Sequence, residues 1–176
     1  MDAVHHWVAT HGAAPERLAD IANVAGVATA TAYRHFASID DIIQACVLEL
    51  PERAVELFVA DGDGASSPQE AFHLWNRAWV RSCLEHGRLA VHLRSPEGFL
   101  ERRAAGEPVI SYACSHIEPL LEALPGDPLL KLFIWNATSD PREVLDLHRL
   151  GWNPDEIADF VTATVLATPA SKRASR

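Results

Sequence analysis

The sequence predicts an all-α protein, with a small N-terminal helix-turn-helix domain followed by a larger helical domain. Three observations support this fold class. Apolar residues recur at helical spacing along most of the 176 residues, and no segment shows the strict alternation of a half-buried strand. Proline and glycine stand where one helical pattern ends and the next begins. Apolar residues make up 48% of the chain, which is enough for a sizeable core.

Residues 17–36 predict two short helices joined by a tight turn. Leu18, Ile21 and Ala22 lie at positions i, i+3 and i+4, on one apolar face of the first helix. Gly26 tolerates a positive φ and can therefore end that helix in a sharp turn, after which 28–35 forms the second helix. Two apolar residues are expected to plug the corner and to close the second helix against the core: Val27 and Phe36.

The helices on either side complete the N-terminal domain. Residues 2–11 form the first helix, and Ser38 with Asp41 forms a variant capping box at the start of the fourth. That fourth helix is expected over 39–59. Because Pro51 lies inside it and lacks a backbone N–H, the helix should either kink or divide near this residue.

The rest of the chain predicts a succession of helices behind a Gly- and Ser-rich loop at 61–68. The expected helices are 68–85, 88–94, 99–105, 108–124, 129–138, 141–148 and 155–167. We therefore predict a helix-turn-helix domain at 1–47 with a connecting helix to about residue 60. A helical ligand-binding and dimerisation domain at 61–167 and a disordered tail at 168–176 complete the division.

Composition favours a cytoplasmic protein. Cys46, Cys83 and Cys114 are widely spaced, are odd in number and lack metal-ligand spacing, so we interpret them as reduced core thiols. No apolar run approaches the roughly 18 residues of a membrane span. The first twelve residues lack the basic start and apolar stretch of a secretory signal.

The short motifs of the N-terminal domain occur in a fixed order. They are AGV at 25–27, TAYRHF at 31–36 and SIDD at 38–41, with DIA at 20–22 before the turn. In this register they resemble the tetracycline-repressor (TetR) family of transcriptional regulators over roughly residues 3–47. The resemblance implies an all-helical homodimer whose N-terminal domain binds a palindromic DNA operator. It also implies a C-terminal domain that dimerises and holds a small-molecule inducer, so that the protein acts most simply as a repressor.

The candidate DNA contacts lie on the second helix of the helix-turn-helix and at the start of the first. Threonine hydroxyls and imidazole N–H groups can hydrogen-bond phosphates, while a Thr or Ala methyl near the helix start can contact thymine. By resemblance, Tyr33 and His35 match phosphate-contacting positions; the alternative is that both merely pack the three-helix domain. The full candidate set is Arg17, Thr29, Ala30, Thr31, Tyr33, Arg34 and His35.

The charge balance leaves a second function open. The chain carries a formal net charge of -9, and residues 1–60 contain three basic against eight acidic side chains. Ala28 and Ile39 stand where the family commonly has a helix-capping hydroxyl and often has a lysine, and we expect no basic arm before the first helix. Since lysine and arginine supply most non-specific DNA affinity, the alternative is a ligand-binding module of the same fold with weak or lost operator binding.

Aromatic residues of the second domain are candidates for an apolar ligand pocket. The alternative for each is ordinary core packing, because aromatic residues at helical spacing are typical of cores. The candidates are Trp75, Trp79, His92, Phe99, Tyr112, His116 and Trp135. Two apolar segments, 129–138 and 156–166, are expected to form the dimer surface.

We predict no metal site, cofactor or catalytic centre. His5 and His6 are adjacent and so face different directions on a helix, while His86 and His92 are not spaced i, i+4. The segment at 61–64 lacks the later ligands of a calcium loop. A small all-helical enzyme would need a strongly perturbed titratable group in a pocket, and the sequence gives no indication of one.

Overall fold

The predicted all-α architecture is confirmed by a computed structural model that describes residues 1–62 and 64–169. Within these residues there are ten α-helices, one 3-10 helix and no strand. The elements are α1 Asp2–His11, α2 Leu18–Val24, α3 Thr29–His35, α4 Ile39–Gly62, α5 Pro68–His86, the 3-10 helix Gly87–Leu93, α6 Phe99–Ala104, α7 Pro108–Glu122, α8 Pro128–Thr138, α9 Pro141–Arg149 and α10 Pro154–Leu166.

Proline at the first helical position starts five of the helices. Its missing N–H costs nothing there, and its fixed φ suits the helix. In α5, α8, α9 and α10 the preceding side chain also accepts hydrogen bonds from the first turn. The clearest case is α10, where Asn153 and Glu156 form a complete capping box. These local signals explain why the helix starts follow the sequence pattern closely.

Two helices differ from their predicted form. The connecting helix α4 continues to Gly62 and is not divided at Pro51, which is buried inside it. The hydroxyl of Ser82 on α5 donates to the carbonyl of Leu50 at 2.7 Å, so α5 supplies a hydrogen bond beside the proline. The short helix expected at 88–94 is a 3-10 helix that begins at Gly87, where φ is +55°.

The packing of α5 against α4 forms the centre of the large hydrophobic cluster. One face of α5 is buried, with Phe72, Trp75 and Cys83 at 0% exposure and Trp79 at 3%. Helices α7, α8 and α10 pack around the same helix pair. None of the described helices combines the length and the apolar composition that a membrane span requires.

A smaller cluster lies between α1, α2 and the start of α4, and it includes one buried residue from outside these helices. Its buried members are Val4, Val8, Leu18, Ile21, Ile42, Cys46 and Leu89. Leu89 belongs to the 3-10 helix and is 1% exposed, while Ala90 and Leu93 of that element join the large cluster. A second link is a hydrogen bond of 2.8 Å from Arg88 to the carbonyl of Gly12. The 3-10 helix therefore physically connects the two clusters.

The predicted domain division near residue 60 stays a prediction. The segment between α4 and α5 carries the break in helical structure, as expected for a boundary. Of the expected tail at 168–176, residues 170–176 lie outside the described residues, and Thr168 and Pro169 have no regular structure.

The position of Leu89 leads to a stability prediction. Leu89→Ala should lower the free energy of unfolding by about 2–5 kcal/mol, because it removes a fully buried side chain from the N-terminal cluster. Leu100→Ala is the matched control, since Leu100 is 39% exposed and should change stability by less than about 0.5 kcal/mol. Urea unfolding followed by circular dichroism measures both variants. Equal, small losses would show that Leu89 does not help to hold the two clusters together.

Candidate nucleic-acid interface and ligand pocket

The corner between α2 and α3 is closed by backbone hydrogen bonds. Gly26 adopts a φ of +68°, and the N–H of Val27 donates to the carbonyl of Ala22 at 3.0 Å. The expectation that Val27 plugs the corner is wrong, since its side chain is 42% exposed. Phe36 is partly buried against the N-terminal cluster, as expected. The turn thus depends on glycine geometry rather than on an apolar side chain.

Helix α3 presents its side chains to solvent. Within this helix, which is described in full, no residue is buried, and Tyr33 is 56% exposed. His35 is exposed as well, so neither side chain packs into the domain as the alternative required. Of the candidate contacts, the half-buried ones are Thr29 and Thr31, and the exposed ones are Arg17, Ala30, Tyr33, Arg34 and His35. The surface is free to approach a partner.

The two arginines of this surface differ in their availability. Arg17 donates from Nη2 to Oδ1 of Asp20 at 2.7 Å and from Nε to Oδ2 at 3.1 Å. This hydrogen-bonded pair raises the pKa of Arg17 and lowers the pKa of Asp20. Among residues 1–62 and 64–169, Arg34 makes only a long hydrogen bond of 3.4 Å to Thr31. Arg34 is therefore the more accessible cation, and a phosphate would have to compete with Asp20 for Arg17.

The start of α4 has the predicted helix cap but lacks a cation that could contact DNA. The predicted capping box is present: the N–H of Ser38 donates to Asp41 at 2.9 Å, and the N–H of Asp41 donates to Ser38 Oγ at 3.1 Å. Ile39, at the position where the family has lysine, packs against both hydrophobic clusters. This position contributes to packing instead of supplying a cation.

The second region contains a small, largely apolar cavity beside α5. Its volume is about 20 Å³, which is room for about one water molecule. Three of the seven predicted ligand-binding residues line it: Trp79, Phe99 and Trp135. The cavity is far smaller than the roughly 300–1,000 Å³ of a typical ligand site. A ligand would have to enlarge it.

The other predicted ligand-binding residues lie elsewhere. Trp75 stacks on His116 with ring centroids 6.4 Å apart, and His116 lies 4.8 Å from Tyr112 by the same measure. The indole N–H of Trp75 is buried and has no hydrogen-bond partner within the described part of the chain. His92 is on the 3-10 helix, in a surface depression shared with Gly12. The structure therefore does not gather the seven residues into one pocket.

Sequence reasoning missed the charged wall of the cavity. Arg94 lies with Nε 2.8 Å from Oδ2 of Asp140 and donates from Nη1 to Asn136 at 2.9 Å. Arg102 donates to the carbonyl of Leu93 and to Glu107, both at 2.7 Å. Both arginines line the cavity. Only their tertiary positions distinguish them from the other arginines of the chain.

Burial affects the ionisation of this wall. Desolvation lowers the pKa of Arg94, and the charge of Asp140 partly offsets the effect. For Asp140, burial by itself would raise the pKa, but hydrogen bonds from Arg142 and the charges of Arg94 and Arg142 hold it below its usual value. The group is therefore a paired ionic cluster rather than a poised acid or base.

A buried amide fixes the helices that surround the cavity. Asn76 on α5 accepts from the indole N–H of Trp135 at 2.9 Å and donates to the hydroxyl of Thr162 at 2.9 Å. Its side chain is 1% exposed. One residue thereby joins α5 to α8 and α10. The indole of Trp79 is fixed separately, by a hydrogen bond of 2.9 Å to the carbonyl of Ser139.

Apolar side chains remain exposed on the two segments predicted to form a dimer surface. On α8 they are Leu129 and Phe133, at 42% and 49% exposure. On α10 they are Phe160 and Leu166, at 43% and 37%. The two helices pack side by side. Trp152, just before α10, lies edge-on to Phe160 with centroids 6.0 Å apart and extends the same apolar face.

All three cysteines are buried thiols, as expected. Burial raises the pKa of Cys46 to about 11 and that of Cys114 to about 12, and it raises the pKa of Cys83 further. Raised pKa values keep these groups protonated and unreactive. They are structural residues in this conformation.

Residues 2–46 match the family model described as bacterial regulatory proteins, tetR family. The fold is similar to that of the fatty acid degradation regulator FadR from Bacillus halodurans, with a TM-score of 0.71, 19% identity and coverage of 94% of this chain and 95% of that one. It is also similar to the TetR-like transcriptional regulator LfrR from Mycobacterium smegmatis, solved with proflavine, with a TM-score of 0.61, 19% identity and coverage of 97% and 93%.

A third similar structure shows that the fold alone does not define function. The superantigen PfiT has a TM-score of 0.64, 18% identity and coverage of 96% of this chain and 94% of that one. A comparison with curated protein sequences finds no match.

The buried amide leads to a second stability prediction. Asn76→Ala should cost about 2–4 kcal/mol, because it leaves the Trp135 indole N–H and the Thr162 hydroxyl without their buried partner. Thr164→Ala, which removes a more exposed hydroxyl on α10, is the control and should cost less than about 0.5 kcal/mol. Thermal unfolding of the two variants measures the difference. A cost for Asn76→Ala no larger than that of the control would contradict the role given to this amide.

Proposed function

We propose that this chain, whose residues 2–46 match the tetR family of bacterial regulatory proteins, is a cytoplasmic, dimeric transcriptional repressor. It binds a palindromic DNA operator and is released by a small apolar or aromatic ligand. The observation that carries the proposal is the exposure of α3, whose hydroxyl, imidazole and guanidinium groups face solvent.

The chemistry of α3 suits a DNA major groove. Thr29 and Ala30 lie at its start, where side chains reach base edges, and Tyr33 and His35 can donate to phosphate oxygens. Arg34 supplies a cation for a phosphate or a guanine. In a dimer, the two copies of α3 would need to lie about 34–36 Å apart to enter successive major grooves.

The exposed apolar face of α8 and α10 is proposed as the dimer interface. Side chains such as Phe133 and Phe160 are close to half exposed in the isolated chain, and a second copy would remove them from water. Since a two-fold interface uses the same patch on both subunits, one self-complementary face is sufficient.

Ligand binding can be coupled to DNA binding through the 3-10 helix. A ligand must enlarge the cavity, whose wall includes α6 through Phe99 and Arg102. Arg102 holds the carbonyl of Leu93, the last residue of the 3-10 helix, and Leu89 of the same element lies in the N-terminal cluster. Displacement of α6 would therefore shift a side chain inside the DNA-binding domain. A coupling of about 1–3 kcal/mol is sufficient for release.

The second candidate function is a ligand-responsive module of the same fold with weak operator binding. It is favoured by the pairing of Arg17 with Asp20 and by the excess of acidic residues in 1–60. Both reduce the positive potential available to phosphates. The absence of lysine from 1–60 acts in the same direction.

Operator selection from random DNA, followed by gel shifts at low salt, tests the proposal. Arg34→Ala and Tyr33→Ala should each weaken operator binding on the order of tenfold. If Arg34 contacts a phosphate, Arg34→Ala should also reduce the slope of log K against log salt concentration by about one. Arg77→Ala is the control for charge, because Arg77 lies midway along α5 and pairs with Asp155 at the start of α10, outside the N-terminal helices. It should leave operator affinity unchanged.

Two outcomes separate the candidate functions. Unchanged binding in both α3 variants would refute the assigned contacts. Ligand binding by a wild-type protein that has no salt-dependent affinity for any selected DNA would favour the second candidate.

The cavity leads to a prediction about ligand response. Phe99→Trp should weaken the ligand-induced release of operator, because the larger ring occupies space that the ligand needs. Leu100→Trp is the matched control, since Leu100 is exposed and does not line the cavity. Fluorescence polarisation of labelled operator, titrated with a ligand found by thermal-shift screening, measures both. Identical responses would place the ligand elsewhere.

A further inference from the structure

Three potential metal ligands meet where the N-terminal helices contact α5. They are His5 on α1, Glu49 on α4 and His86 at the end of α5, and one ligand atom from each lies within 4.8 Å of the other two. His5 Nε2 is 2.6 Å from Glu49 Oε2, and the rings of His5 and His86 have centroids 5.7 Å apart. Three separate elements thus converge on one point.

The orientation of His86 is fixed from behind. Its Nδ1 lies 2.9 Å from the carbonyl of Ser82, so this nitrogen carries the proton and donates it. The hydroxyl of Ser82 in turn donates to the carbonyl of Leu50 at 2.7 Å. With Nδ1 protonated, Nε2 keeps its lone pair. A histidine that ligates a metal is held in the same way, because its other ring nitrogen donates to a carbonyl or carboxylate.

We propose that His5, Glu49 and His86 form a binding site for a divalent transition-metal ion, best matched by Zn²⁺. Two imidazoles and one carboxylate are a known three-ligand set for zinc, which then keeps a fourth position for water. The side chains of His5 and Glu49 are 34% and 28% exposed, so an ion and its water can reach them. Hard ions such as Ca²⁺ and Mg²⁺ prefer more oxygen ligands than this site offers.

The geometry requires only a small adjustment. Zinc–nitrogen distances of about 2.0–2.1 Å in a tetrahedral site place neighbouring ligand atoms about 3.3 Å apart. The ion would therefore move His5 Nε2 and Glu49 Oε2 slightly apart. It would also draw together the two ligand atoms of the cluster that lie farthest from each other. Glu85, next to His86, does not compete, because Arg53 holds it at 2.8 Å.

The site would link two parts of the molecule. His5 belongs to the helices that carry the DNA-binding surface, and His86 belongs to α5 at the centre of the large cluster. A bound ion would hold α1 against the end of α5 and would offset part of the negative charge of the N-terminal region. It would stabilise this arrangement by mass action.

Titration of the full-length, metal-stripped protein without a polyhistidine tag tests the site. Isothermal calorimetry with Zn²⁺ should give one site per chain, and Co²⁺ should give the visible absorption of a low-coordinate complex. His86→Gln and Glu49→Gln should each weaken Zn²⁺ binding by about 100-fold, since loss of a supporting group alone costs about 10–100-fold. His6→Gln is the matched control on the same helix, because His6 is exposed and outside the cluster.

The outcomes are decisive and need no DNA. Zinc should raise the unfolding temperature of the wild type and of His6→Gln but not of the two ligand variants. No saturable binding would overturn the proposal and leave a hydrogen-bonded His5–Glu49 pair. Equal weakening by His6→Gln would overturn it too. If His86→Gln fails to fold, Glu49→Gln, which keeps the side-chain shape, decides. Because binding is measured on the isolated protein, failure here is distinguishable from failure of operator recognition.

Discussion

The burial of α5 against α4 is the contact on which the rest of the structure depends. One face of α5 places two tryptophans, a phenylalanine and a cysteine in the core, and helices α7, α9 and α10 pack against it. Because the 3-10 helix follows α5 directly, the end of α5 determines where the 3-10 helix lies. Its residue Leu89 is buried in the N-terminal cluster. The position of the proposed DNA-binding surface therefore follows from the packing of a helix that lies outside it.

Charge placement matters more for this protein than net charge. The chain is acidic overall, yet α3 itself contains no acidic residue and carries Arg34 and His35 in its last turn. Several acids elsewhere are engaged: Asp20 with Arg17, Asp41 with Ser38 and Glu49 with His5. Coulomb interactions between exposed groups fade beyond about 10 Å at ordinary salt, so local composition is the better guide to a contact surface.

The tryptophans that line the cavity of the second region are also part of its core packing. Trp79 and Trp135 line the small cavity, but each also donates its indole N–H to a fixed partner. Expansion of this region would therefore disturb buried hydrogen bonds as well as apolar contacts. Entry of the proposed ligand would require movement of the surrounding helices, because close-packed interiors do not deform without shifting their neighbours.

The sequence by itself determined the helical fold class, most helix boundaries, the Gly26 turn and the Ser38 cap, because these depend on residues close together in the chain. It also indicated the resemblance to the TetR family, because the motif residues stand in a fixed register, and the family model matches the same N-terminal residues, 2–46. It misassigned Val27 to the corner, and it did not indicate the roles of Arg94 and Arg102 or the meeting of His5, Glu49 and His86. Only the tertiary structure decided these, since residues up to 81 positions apart meet through helix packing, and no local pattern records which faces come together.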